Sequence, residues 1–378
     1  MISQRQRGII GSAVVLAIVA LVWFFWYAGP AKEEKKPTSS PSASASGATI
    51  PKVAPPTILP MGSTSAVDTL GSGAPVNPKD APFAVAKWGT ADNELGRTKA
   101  HESNPEGPMS LTIGPDGTVI VLDQVNGRLV KLGKDGKPIG TVAINARGAQ
   151  DVATTKDGAL LVLDRLADKT VSIMGPDGKV LGTLPVEGTG IKEGGAVTGM
   201  FVDGKNVYVE REHQQLVLIG DVYGKAAGTR TEVPGRPSRD GLSWLNAWLE
   251  APPTDSIYVA ATRRSPEEHI FTRQIKLPLS ITSIVLLDTD RAGVVYLAVV
   301  GSKGEGSAGE EIVELVCLEP THGAPIGEQT LPANTMPEET FRDFAVREEG
   351  GVLYSYRTES GVQMIQADCR PGGGSPTK

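Results

Sequence analysis

The sequence predicts an all-β fold: a six-bladed β-propeller closed by an N-terminal strand, preceded by one transmembrane helix and a disordered linker. Three observations predict it. First, Pro108–Leu132 reads PMSLTIGPDGTVIVLDQVNGRLVKL. The runs Leu111–Ile113, Thr118–Leu122 and Arg128–Leu132 are separated by Pro-Asp-Gly and by Asn-Gly. Gly and Asn accept the positive φ of tight hairpins, so this is a three-stranded antiparallel unit. Such a unit is barely stable alone and must stack its faces on something. Second, its middle strand recurs along the chain. Third, the last copy of the unit is one strand short, and one strand near the front of the chain has no unit of its own.

The recurring strand is Ile120–Asp123, then Leu160–Asp164, Val207–Glu210, Ile257–Ala260, Val295–Ala298 and Leu353–Tyr356. A turn pair precedes each: Asp116-Gly117, Asp157-Gly158, Asp203-Gly204, Thr254-Asp255, Ala292-Gly293 and Gly350-Gly351. A period of roughly 40–50 residues with four strands per unit marks a propeller. The final unit supplies Phe341–Val346, Val352–Arg357 and Val362–Cys369 before the chain runs into PGGGSPTK. Phe83–Gly89 is then expected to pair as the outer strand of that unit. Circular closure removes the open ends that invite aggregation.

Residues Ile9–Tyr27 form an unbroken run without charge. At 1.5 Å per residue it spans roughly 28 Å, close to a bilayer core. Trp23, Phe24, Phe25, Trp26 and Tyr27 crowd one end, as an interfacial belt does. The run is too long for a cleaved signal peptide, and bulky aromatics stand where small residues belong. Arg5 and Arg7 precede it closely, which orients the N-terminus inward. Residues 1–8 are read as a short cytoplasmic tail and 9–27 as a signal anchor. Residues 28–81 are read as a disordered linker rich in Pro, Ser and Ala, unable to bury enough apolar surface to offset ordering entropy. The propeller is placed at 82–370, with a disordered tail at 371–378.

The net charge of −6 argues against nonspecific binding to nucleic acid or anionic lipid, which needs an excess of Lys and Arg. The two cysteines, Cys317 and Cys369, form no metal-binding spacing. Each lies near the end of a third strand in neighbouring units, and an oxidising compartment would let them bridge if their Cα atoms approach within about 7 Å.

Trp88-Gly89, Gly96, Pro108, Asp116-Gly117, Val121-Leu122-Asp123, Asn126-Gly127-Arg128-Leu129 and Gly136 together resemble an NHL repeat. The second unit keeps Asp157-Gly158, Leu163-Asp164 and Pro176-Asp177-Gly178, but has Asp168-Lys169 where asparagine-x-arginine would stand. The later units keep only the strand rhythm. The resemblance implies a six-bladed propeller and no single function. Propellers of that kind mostly bind proteins, nucleic acid or ligands on one face, and a minority of related ones are lyases or metal-dependent lactonases.

Few residues carry candidate chemistry. Asp123 and Asp164 end second strands, and their recurrence points to carboxylates that cap backbone amides of the following turn. His101, His213, His269 and His322 are scattered, whereas a metal enzyme needs several such residues converging. No nucleophile elbow or phosphate loop is present. Trp244 and Trp248, in Leu242–Leu249, are read as first-strand core of the fourth unit or as a partner-binding patch, since Trp is favoured at interface hot spots. Ser302–Glu310 is read as a loop between strands of the fifth unit.

The expectation is therefore a membrane-anchored periplasmic propeller in the inner membrane of a bacterial envelope. It would act as a non-enzymatic scaffold for envelope proteins. No catalytic, metal or cofactor-binding residue is assigned. The alternatives are an envelope enzyme, such as a metal-dependent lyase or hydrolase, and a glycan- or cell-wall-binding head.

Overall fold

The computed structural model describes residues 66–372, apart from Lys79, Ala81, 99–103, Arg147 and 305–308. The expected anchor at 9–27, the linker up to residue 65 and residues 373–378 lie outside the described residues.

The described chain is an all-β, propeller-like ring of radial four-stranded units. Blade one holds Ser110–Ile113, Val119–Asp123, Arg128–Leu132 and Pro138–Ala143. Blade two holds Ala149–Thr154, Leu160–Asp164, Thr170–Met174 and Val180–Pro185. Blade three holds Val197–Asp203, Asn206–Arg211, Gln215–Asp221 and Glu232–Val233. Blades four and five share one strand, Glu267–Thr289. Its first half pairs with Thr254–Arg264 and closes blade four; its second half pairs with Val295–Lys303 and opens blade five. Arg236–Pro237 and Ser243–Leu249 complete blade four. Glu310–Leu318 and Pro325–Pro332 complete blade five. In blade six, Phe344–Val346, Val352–Thr358 and Gly361–Ala367 are joined by Ala84–Trp88, which pairs antiparallel to Gly361–Met364. The first strands of successive blades are neighbours all the way round, blade six meeting blade one.

The hairpin between first and second strands recurs with one geometry. The Gly amide bonds back three residues at Gly117→Gly114, Gly158→Thr155, Gly241→Ser238, Gly293→Asp290 and Gly350→Arg347. This register corrects the sequence alignment in blade four. Ile257–Ala260 belongs to a third strand, its true turn pair is Asp240-Gly241, and Leu242–Leu249 is largely second strand rather than first. The two neighbouring runs are both apolar-rich and both follow a turn cue, so sequence pattern alone fits either register.

The linker boundary is also corrected. Ala66–Thr69 adds parallel to Arg273–Lys276 at the edge of blade four. Ala74–Pro75 adds parallel to Gln329–Thr330 at the edge of blade five. Glu94–Leu95 then adds parallel to Lys87–Trp88 on blade six. Residues 66–76 are thus a strap that adds a fifth strand to each of blades four and five. The amides of Leu70 and Val76 donate to the carbonyls of Lys276 and Thr330 at 2.9 and 2.8 Å. The Leu70 and Val76 side chains pack on the cores beneath. Between them a Cβ on Gly73 would lie 2.5 Å from Gln329 backbone, so only glycine fits there. Sparse apolar points in a Ser/Gly/Pro-rich run hid this strap from a compositional reading.

The Gly73 amide donates to Glu314 Oε1 at 2.6 Å, and the Thr330 hydroxyl donates to Oε2 at 2.8 Å. Glu314 is fully buried. Burial pushes its carboxyl above the ordinary value of 4.5, against the pull of those two donors. A carboxyl that holds its proton more tightly folded than unfolded lowers stability as pH rises from 4.5 through its folded value. Glu314→Gln keeps an acceptor for Gly73. It should flatten the decline in melting temperature above pH 4.5, and an unchanged pH profile would refute this.

Candidate functional site

The axis of the ring is filled with paired charges. Asp151, in the first strand of blade two, is fully buried. It accepts from Ser110 Oγ of blade one at 2.6 Å, from the Met200 amide of blade three at 3.0 Å and from Arg342 Nη2 at 2.7 Å, just ahead of blade six. Arg342 also donates to the Met200 carbonyl at 3.0 Å. Its guanidinium lies 5.3 Å from the Phe201 ring centre, and Arg236 of blade four lies 5.1 Å from the same ring. Five blades therefore meet through one carboxylate, one ring and two guanidinia.

Beside this plug a cleft of about 320 Å³ opens among blades three, four and five. Glu210 and Arg236 line it together with His213, Trp248, Ile284 and Leu287. Glu210 is the last residue but one of the second strand of blade three, with its side chain 3% exposed. Arg236 grips it twice, Nε to Oε1 at 2.7 Å and Nη2 to Oε2 at 3.1 Å, and Thr198 Oγ1 donates at 3.0 Å. Burial alone would raise the Glu210 pKa, but Arg236, with a smaller contribution from His213, holds it well below the usual carboxylate range. The pair is thus an internally neutralised floor.

Glu212 and His213 form the hairpin to the third strand, at φ 51° and 57°. Left-handed backbone at two successive non-glycine residues costs on the order of 1 kcal/mol each or more. The turn is held by Gln214 donating to the Arg211 carbonyl at 3.0 Å and by the His213 amide donating to Thr198 Oγ1 at 2.9 Å. His213 Nδ1 comes within 3.6 Å of Glu210 Oε2 while its side chain is 70% exposed.

The two tryptophans part company. Trp248 stacks on Tyr258 at 5.4 Å, near parallel, and lines the cleft. Trp244 packs edge-on to Tyr208 at 6.3 Å, under the Arg264 guanidinium at 3.9 Å, between blades three and four. Strand alternation puts both on one sheet face, but only the end near residue 248 reaches the opening.

Asp123 and Asp164 hold loops. Asp164 accepts from the amides of Gly148, Leu166 and Ala167 at 3.0, 3.2 and 2.8 Å. Asp123 accepts from the Gly96 amide at 2.8 Å and from Asn126 and Arg128. Arg128 then donates to the carbonyls of Thr90, Ala91 and Glu94 at 3.0, 2.7 and 2.9 Å. The Asn126-Gly127-Arg128 motif thereby staples blade one to the connector leaving blade six.

His269 lies near the Thr272 hydroxyl, and His322 lies 3.4 Å from Glu319, well exposed. His101 lies outside the described residues. Among the described residues no three His, Cys, Asp or Glu side chains converge as metal ligands would. Cys317, in the third strand of blade five, and Cys369, two residues past the third strand of blade six, form a disulfide with Cα atoms 5.5 Å apart and both residues buried.

The sequence reading missed Asp151, Glu210, Arg236 and Arg342. Glu210 and Arg342 sit beside other charges, in Glu210-Arg211-Glu212 and Arg342-Asp343, and neither they nor Asp151 and Arg236 belong to a motif that marks them as converging. No protein-family model matches the sequence, and no curated protein is similar to it. Solved structures with similar architecture include the hydrazine synthase of Kuenenia stuttgartiensis, at 17% identity over 69% of this chain and 78% of that one, TM-score 0.44. A virginiamycin B lyase from Staphylococcus aureus matches at 10% identity over 72% and 99%, TM-score 0.38. The glutaminyl cyclase of Myxococcus xanthus matches at 13% identity over 69% and 91%, TM-score 0.34. The likeness reaches the all-β propeller-like fold and no further.

Proposed function

We propose that the chain is a single-pass inner-membrane protein whose propeller head, NHL-like in its first two repeats, stands in the periplasm. There it holds envelope proteins without catalysing a reaction. The observation that carries this reading is the cleft. Its charged floor is neutralised within itself by Glu210 and Arg236, while Trp248 lines it as a rigid aromatic wall. Rigid, partly desolvated aromatic anchors are where binding energy concentrates at protein interfaces. The Cys317–Cys369 disulfide supports an oxidising compartment. The apolar run Ile9–Tyr27 supports the anchor.

The test is capture with the full-length chain. Wild type should enrich specific envelope proteins after cross-linking. Trp248→Ala should lose them by ten-fold or more while melting within a few degrees of wild type. Equal recovery by both proteins would remove the cleft as the binding site.

A further inference from the structure

We infer that the cleft receives a cationic side chain, lysine or arginine, presented by a partner protein. This rests on the protein-binding reading above and names the chemistry it uses. Three features converge. Trp248 lines the cleft with Tyr258 stacked alongside, and the negative face of an indole attracts a cation. Ile284, Leu287 and Leu249 supply an apolar wall that suits the methylene stem of a long basic side chain.

The local charge count completes the case. Glu210 and Arg236 cancel each other at the floor. Glu212, which lines the cleft on the strained turn, and Glu250, which accepts from Tyr258 Oη at 3.4 Å, carry no cationic partner among the described residues. Two unneutralised carboxylates beside an aromatic face, on a chain of net charge −6, favour an incoming positive group and disfavour an anionic one.

The probes are hexalysine and its fully Nε-acetylated form, titrated into the full-length chain at low ionic strength with calorimetric readout. Hexalysine should bind at least ten-fold more tightly than the acetylated peptide, and its affinity should fall as salt is added. Trp248→Ala and the double variant Glu212→Gln/Glu250→Gln should each weaken it five-fold or more, and Trp248→Phe should recover most of the loss. No binding overturns the inference. So does equal binding of the two peptides, or binding that none of these variants alters, which would place hexalysine elsewhere on the acidic surface. If the Gln double variant still captures the envelope proteins that Trp248→Ala loses, the protein-binding reading stands and the cationic inference falls.

Discussion

Replacing Asp151 with alanine is expected to cost the head about 3–5 kcal/mol, the range for removing one partner of a buried, hydrogen-bonded ion pair. Asp151 has no exposure, and its acceptors serve Ser110, Met200 and Arg342 from three other blades. Alanine leaves the Arg342 guanidinium without its carboxylate at the axis and the Ser110 hydroxyl and Met200 amide without their acceptor. Asn is the informative control. It retains an acceptor and a similar volume but loses the charge, so its cost should fall between alanine and wild type. Denaturant unfolding measures both. An alanine variant within about 1 kcal/mol of wild type would show that the axial network is ornamental to stability.

Gly361→Ala should unfasten the ring by a different route. Gly361 sits at φ 148°, and a Cβ there would lie 2.0 Å from the Ala86 carbonyl oxygen of the closing strand. Neither backbone segment can yield cheaply, because Gly361 and Lys87 are paired in the sheet. The substitution combines a strained conformation with overpacking, for an expected loss of roughly 3 kcal/mol or more. Hydrogen exchange locates the effect. The amides of Ala84–Trp88 should exchange faster well before those of blade two. Uniform acceleration across all blades, or none, would mean that the closing strand is not held at this contact.

The short apolar runs Val119–Leu122 and Leu160–Leu163, each ending in Asp and each behind an Asp-Gly turn, made blades one and two legible. The shortage of one strand at the end of the chain made the closing partner legible. Both rest on local signals: short apolar runs and the positive φ that glycine permits at the turns between them. Blade four was misread because its two central strands are both apolar-rich runs behind turn residues, and only pairing to Arg236–Pro237 selects the register. The strap was misread for a related reason. Its strands at Ala66–Thr69 and Ala74–Pro75 are too short to show any period and exist only because blade edges supply their hydrogen-bond partners.

Local pattern in the sequence thus determined the all-β class, the repeat and the closing strand, since hairpins are encoded within about ten residues. The tertiary structure alone decided which charges meet at the axis, which tryptophan reaches a cleft, and where the strap lies. Those contacts join residues as far apart as Asp151 and Arg342 or Gly73 and Glu314. Their energy depends on burial and direction, and neither quantity exists until the ring has closed around them.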